Sequence, residues 1–366
     1  MAVTVAEAER VVGQARRICA VPAPPFGEAE RGRLVAELFA EAGAPARTDA
    51  TGNVIAELGG SGPATTVFAA HLDTVFPAGT PIAFAAGDGR LAAPGLGDNS
   101  IAIAALLHVA RRLAGRALRR PVALVATVGE EGLGDLRGAK ALLEEVECGG
   151  FVAIEGLTLP AIKVTGVGSV RLRATVTGAG GHPWIDRGAP SAVHGLAEGL
   201  AVALREARAA GLVVNVGVIE GGTAINTIAS RATAEIDLRC SHDAALLAGA
   251  DRVRAALEAV EEGLETTVEP LGRRPAGAID PGHPLLQAAR RARERAGLEP
   301  AREDAASTDA NAAYGRGIPA ITVGVTTGAN AHRLDEYIDL APVPAGLSAL
   351  TALAEEVAGL ADEPAG

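Results

Sequence analysis

Aromatic side chains make up only 2% of the 366 residues, with one tryptophan and one methionine. A core built from this chain must therefore be filled by alanine, valine and leucine. Cysteine is nearly as scarce. Cys19, Cys148 and Cys240 are far apart, odd in number and form no CxxC pair, which excludes a disulfide framework and a thiolate zinc site. They read as small buried hydrophobes in a reducing compartment. No apolar run reaches the roughly 18 residues of a membrane span. Residues 1–10 read as the start of an amphipathic helix and not as a secretory leader. Together these predict a soluble, cytoplasmic protein with no membrane partner. Excess positive charge is missing as well: the formal charge is −11, which argues against a nucleic-acid surface. Gly95-Leu96-Gly97 is not followed by the GK[ST] of a phosphate loop, and Ser191, Ser241 and Ser307 lack a nucleophile elbow.

What is present is an alternation of helical periodicity with short, continuous apolar runs. Residues 5–19, 29–42, 100–113, 136–145, 284–296 and 344–360 read as helices, and 53–58, 65–70, 122–128, 151–154 and 320–325 as strands. Continuous apolar strands are those of a parallel sheet covered on both faces. The middle of the chain differs. In residues 169–177, Val170, Leu172, Ala174 and Val176 alternate with Arg171, Arg173, Thr175 and Thr177, which marks a sheet with one solvated face. Helix 191–210, strands 213–219 and 232–238, helix 243–262 and strand 265–271 follow, the β-α-β-β-α-β order of a ferredoxin-like unit. The chain thus reads as an α/β domain, residues 1–167 and 275–366, with an α+β domain, residues 168–274, inserted into it. Gly166, Gly168, Gly272 and Pro275 stand at the joins as hinge candidates.

Acidic and histidine residues recur where the apolar strands end, which in an open α/β sheet is where ligands bind. His71-Leu72-Asp73 closes one strand; if the chain stays extended, residues i and i+2 point the same way, so His71 can ligate a metal while Asp73 approaches its ring from behind. Glu130-Glu131, flanked by Gly129 and Gly132, closes another. One can ligate while the other reaches an activated water, the division that metal-assisted hydrolysis requires. Asp98 sits in Gly97-Asp98-Asn99-Ser100 at a helix entry, where it can cap the helix or bridge two cations about 3.5–4 Å apart. Glu155 and His332 follow further strands and can complete separate coordination spheres. Each feature alone has an ordinary structural use; their gathering at the ends of one sheet points to a metal centre. Mixed histidine and carboxylate ligation suits Zn²⁺, with Mn²⁺ or Co²⁺ as substitutes. His108, His194, His242 and His283 have no partner at useful spacing and read as structural.

The segments Ala70-His71-Leu72-Asp73-Thr74-Val75, Gly95-Leu96-Gly97-Asp98-Asn99-Ser100, Gly129-Glu130-Glu131-Gly132-Leu133-Gly134, Ile154-Glu155-Gly156, Gly180-Gly181-His182, Gly221-Gly222-Thr223-Ala224-Ile225-Asn226 and Ala331-His332 occur in that order over nearly the whole chain. In this the sequence resembles the di-zinc metallopeptidase and amidohydrolase family of glutamate carboxypeptidase, peptidase T, aminoacylase, acetylornithine deacetylase and succinyl-diaminopimelate desuccinylase. The resemblance implies a zinc-peptidase-like α/β/α catalytic domain with a ferredoxin-like dimerisation or lid domain. It implies two divalent ions, one held by His71, Asp98 and Glu155, the other by Asp98, Glu131 and His332. Glu130 would be the general base and Asp73 the partner of His71. The peptide bond from Asp98 to Asn99 would be cis. His182 would reach the partner subunit's site in a homodimer and stabilise the oxyanion. Asn226 and Arg239 would bind substrate, Arg239 through a terminal carboxylate.

The sequence departs from the family pattern at Asn99, where many relatives carry a second aspartate, in the glycine-poor stretch 326–330 and at Arg333. Glu155 in place of aspartate resembles the carboxypeptidases and deacylases, while the motifs as a whole lean towards peptidase T-like and glutamate carboxypeptidase-like members. The expected activity is hydrolysis of a peptide or N-acyl amide bond in a small carboxylate-bearing substrate. The alternatives are an N-acyl-amino-acid deacylase and a silent, metal-stabilised binding protein.

Overall fold

A computed structural model describes residues 3–60, 62 and 64–360. The chain divides into two compact units, residues 1–166 with 278–366, and 167–277. Among the described residues no helix is long and apolar enough to cross a membrane.

The first unit is built on a nine-stranded sheet whose middle runs in the order Val54–Leu58, Val122–Thr127, Thr65–His71, Cys148–Glu155, Ala320–Gly324, Ala161–Gly166. Thr65–His71 pairs in parallel with both its neighbours, and Cys148–Glu155 in parallel with Ala320–Gly324. Successive strand residues face opposite sides. Phe68 and Ala70 therefore join the core under helices Val5–Cys19, Ala29–Glu41, Ile101–Leu113, Pro284–Arg295 and Val343–Val357. Val67 and Ala69 join the core under Arg137–Glu145 and Ala310–Tyr314. Both faces are covered, which is why these strands have no polar alternation. The aromatic shortage is met as the composition requires: alanine, valine and leucine dominate both clusters, with Phe39, Phe68 and Phe151 as the fully buried aromatics. Each such ring contributes on the order of 1.5–3 kcal/mol by burial.

The helix Ile101–Leu113 has no side-chain cap: Ser100 precedes it and donates its hydroxyl to Gly95 O at 2.6 Å. A second sheet, Gly328–Ala329, Tyr337–Asp339, Arg90–Ala92 and Ala85–Gly87, was not expected. Its strands are two or three residues long, too short to show a period of two.

The second unit is a four-stranded antiparallel sheet in the order Val213–Gly221, Arg231–Cys240, Gly168–Gly178, Leu264–Arg274. Helices Ala192–Ala209 and Asp243–Glu258 cover one face, on a core that includes Val170, Leu172, Ala174, Val176, Leu196 and Val253. The opposite face carries the charged half of the alternation: Glu235 lies across from Arg173 and Asp237 across from Arg171.

Candidate metal centre

His71 is the last residue of its strand and is 2% exposed. Its strand end is tied down from below by Arg31, a guanidinium 1% exposed that donates to the carbonyls of Leu72 at 2.8 Å, Val21 at 2.7 Å and Cys19 at 3.4 Å. Burial pushes the Arg31 pKa down to about 10. The extended geometry stops at His71, so the expected alternation of His71 with Asp73 does not hold. It is the backbone carbonyl of Asp73 that faces His71 Nδ1, at 2.9 Å, while the nearer carboxylate oxygen is 3.7 Å away. A proton on Nδ1 donated to that carbonyl leaves Nε2 free to ligate. The Asp73 carboxylate instead accepts from the backbone N–H groups of Glu130 at 3.0 Å and Glu131 at 2.7 Å. It therefore fixes the turn that carries both glutamates.

That turn needs its glycine. Gly129 has φ +66, and a Cβ there would stand 2.6 Å from Cγ of Arg137. Glu130 and Glu131 follow it, 5% and 7% exposed. Beneath them Thr127 donates its hydroxyl at 2.5 Å to Asp309, a carboxyl 2% exposed whose pKa is pushed up to about 7 by burial and by the charge of Glu130. Sequence reading missed Asp309 because it lies in no acidic or histidine cluster of its own.

Asp98 lies in the loop between Gly95 and the helix, and the Asp98–Asn99 peptide is cis, as expected. The departure at Asn99 has a local reason. Its amide donates to Ile154 O at 2.8 Å and its carbonyl accepts from Gly156 N at 3.0 Å, clasping the strand end on either side of Glu155. An aspartate has no N–H for the first of these bonds. His332 comes from a turn, with φ +66, and its side chain is 54% exposed.

The structure brings both expected triplets together. Ligand atoms of His71, Asp98 and Glu155, of Asp98, Glu131 and His332, and also of His71, Glu130 and Glu131 each fall within 4.8 Å of one another. His71 Nε2 is 3.0 Å from Asp98 Oδ1 and 3.6 Å from Glu155 Oε2. His332 Nε2 is 3.1 Å from Asp98 Oδ2 and 3.2 Å from Glu131 Oε1. Each oxygen of Asp98 thus faces a different histidine. Burial pushes the Glu155 pKa up to about 8. His332 is held up to about 10 by its contacts with Asp98 and then Glu131. Burial opposes a charge on His71, but Asp98 and Glu155 outweigh it and hold its pKa well above the ordinary value.

These residues fit divalent metal. Asp98 Oδ1 is buried without a hydrogen-bond partner although His71 Nε2 stands 3.0 Å away, the state of an acceptor whose partner would be a cation. The donor set of imidazole and carboxylate is that of zinc and its neighbours.

The remaining expected residues lie in the second unit. His182 Nδ1 accepts from the backbone N–H of Trp184 at 3.2 Å and Ile185 at 3.3 Å. Asn226 is exposed in the loop before Arg231–Cys240. Arg239 is on that strand and donates to Asp237 at 2.7 Å.

The sequence profile of peptidase family M20/M25/M40 matches residues 67–356. The chain belongs to this family. It is accordingly a metal-dependent hydrolase of the peptidase and amidohydrolase type. A succinyl-diaminopimelate desuccinylase of Gluconacetobacter diazotrophicus is 30% identical over 339 residues, 86% of each chain. Among solved structures, aminopeptidase PepT from Bacillus cereus superposes with a TM-score of 0.78 at 24% identity, over 97% of this chain and 99% of that one. A tripeptidase from Staphylococcus aureus gives 0.79 at 19% identity, over 98% and 100%. An amidase of the hydantoinase/carbamoylase family from Burkholderia multivorans gives 0.67 at 19%, over 98% of both. These structural likenesses establish an M20 fold with its large mixed sheet and separate antiparallel sheet.

Proposed function

We propose that this M20 hydrolase is a two-metal exopeptidase acting on a small peptide with a free carboxylate. The observation that carries the reading is Asp98, whose two oxygens face separate histidines, each with its own second carboxylate, while Glu130 stands beside both groups. His71, Asp98 and Glu155 would hold one ion and Asp98, Glu131 and His332 the other, with zinc as the metal that suits this donor set and cobalt or manganese as substitutes. When bound, such ions acidify a water and polarise the scissile carbonyl. Glu130 would serve as general base and then general acid, taking a proton from the attacking water and passing it to the leaving amine. Asp73 keeps Glu130 in place through the backbone N–H it accepts.

His182 supplies the oxyanion donor. With Nδ1 accepting two backbone N–H groups, the ring proton belongs on Nε2, which is the donor such a role needs. It serves the site of a second copy in a homodimer formed through the inserted domain. The exposed edge strand Val213–Gly221, with Val213 68% and Ile219 62% exposed, supports that assembly. Asn226 and Arg239 bind the substrate, Arg239 at its terminal carboxylate. The enzyme works in the cytoplasm.

A second reading is favoured by one comparison: the 30% identical relative is a desuccinylase, so an N-acyl-amino-acid deacylase is the alternative. The test is a screen of dipeptides, tripeptides and N-acyl amino acids, N-succinyl compounds included. It is run with Zn²⁺, Co²⁺ or Mn²⁺, with metal content measured on the same sample. Turnover of peptides is expected, and N-acyl compounds alone would favour the deacylase. Silence across the panel from fully loaded protein would leave only a metal-stabilised binding protein. Glu130→Gln should keep both ions and lose roughly 10²–10⁴ in kcat; retained turnover would remove Glu130 from the mechanism.

A further inference from the structure

Glu336 is fully buried and four residues beyond His332, yet it belongs to neither ligand triplet. Its carboxylate accepts three backbone N–H groups of the loop that carries Asp98: Gly97 at 2.5 Å and Asp98 at 2.9 Å on Oε1, and Gly95 at 3.3 Å on Oε2. No salt bridge to Glu336 is found among the described residues, so the row of amides is what receives the carboxylate. The loop is shaped for it. A Cβ on Gly97 would fall 3.0 Å from Glu336 Oε1 and 2.7 Å from Leu157 Cδ2. The carbonyl of Glu336 in turn accepts from Ala93 N at 3.0 Å. The next residues, Tyr337–Asp339, pair with Arg90–Ala92 in the small second sheet. One residue therefore ties the loop of Asp98 to the segment that follows His332.

We propose that Glu336 is the positioning residue for the second ion: it locks the Asp98 loop and the His332 turn into one unit, so that the site of Asp98, Glu131 and His332 is formed before the ion arrives. The inference rests on the two-ion reading given above. Two residues on separate loops must otherwise be ordered by the ion itself, at the expense of its affinity. A glutamine fits less well than the carboxylate: its oxygen can keep the bonds from Gly97 and Asp98, but its amide nitrogen would then face the N–H of Gly95.

The test titrates metal-free protein with Co²⁺, following the visible d–d bands and the heat of binding, which give two dissociation constants. Wild type, Glu336→Gln, Glu336→Asp and the remote Glu303→Gln are compared. Wild type and Glu303→Gln should bind two ions alike. Glu336→Gln and Glu336→Asp should weaken the second constant by roughly 10–100-fold, as loss of an outer-sphere partner does, and the first, which shares Asp98, by less. The bands of the second ion should shift. Wild type that binds two ions, with both constants unchanged in Glu336→Gln and Glu336→Asp, overturns the role of Glu336. So does failure of both variants to fold without metal, which would make the residue a fold determinant and not a positioning one. Wild type that binds fewer than two ions removes the two-ion reading, and this inference with it.

Discussion

The two ligand triplets share Asp98 but are built in different ways. His71 and Glu155 end neighbouring parallel strands, and they are 2% and 15% exposed on their side chains. The ring of His71 is oriented by its own strand end, and that end is held by Arg31 from within the core. His332 instead comes from a turn in the left-handed region and is 54% exposed. A ligand on a sheet is placed by the fold before any ion arrives. A ligand on a turn is placed by whatever braces the turn. The first position should therefore bind tightly and lose its ion slowly, and the second should be the exchangeable one.

The largest effect should come from breaking the shared element or one side of it. Asp98→Ala is expected to lose both ions and all turnover. His332→Ala should retain one ion and lose the other, with an affinity cost beyond the roughly 100-fold upper range for an outer partner. His71→Ala should lose the first ion and in addition lower the stability of the metal-free protein. Metal analysis after dialysis against a weak chelator separates these cases. If His332→Ala and His71→Ala release their ions at equal rates, the contrast between a strand-built and a turn-built position is wrong.

Arg31 offers a sharper test of the buried side. It has backbone carbonyls as its hydrogen-bond partners, so its loss strands acceptors in the core without removing any ligand. Arg31→Leu should cost about 3 kcal/mol of folding stability in urea. It should also weaken the first ion more than the second. A variant that is destabilised but shows equal loss at both positions would mean that Arg31 supports the fold without supporting the strand end.

Most of this contrast could be read from the sequence on one side only. His71, Glu130, Glu131 and Glu155 were legible because strong apolar runs announce where strands end, and a parallel sheet gathers those ends. Asp98 was legible as a carboxylate at a helix entry able to cap the helix or bridge two cations, and the Asp98–Asn99 cis bond followed from the family pattern. What escaped reading acts through the backbone. Arg31 looks like any helix-surface cation until its three carbonyl partners are seen. Asp73 satisfies the HxD pattern, yet its carboxylate goes to the glutamate turn because the strand stops at His71, two residues short of Asp73. Glu336 sits between Asp335 and Tyr337 in what reads as an ordinary charged loop, and the sheet that places it has strands of two or three residues. Pattern and period carry no record of contacts made to a distant loop's N–H groups.

His108 gives the smallest effect and a check on how rigid the buried side is at its base. It lies on the helix Ile101–Leu113 that begins directly after the Asp98 loop, is 3% exposed, and its Nε2 has no hydrogen-bond partner. Burial pushes its pKa down to about 4; the charge of Glu7 pulls the other way, and Arg112, Arg10 and Arg111 add to the lowering. In the unfolded chain it titrates near 6.5. Between those values the unfolded state binds the extra proton, so stability present above pH 6.5 is lost as pH falls towards 4. At pH 5 the loss from this one group should be about 2 kcal/mol. Unfolding of metal-free wild type and His108→Leu by urea at pH 7.5 and pH 5 would isolate it: the variant's stability should fall less between the two. Equal falls would mean that the helix under Asp98 opens enough to hydrate the ring, and the buried position would then be less preorganised than its strand-end ligands imply.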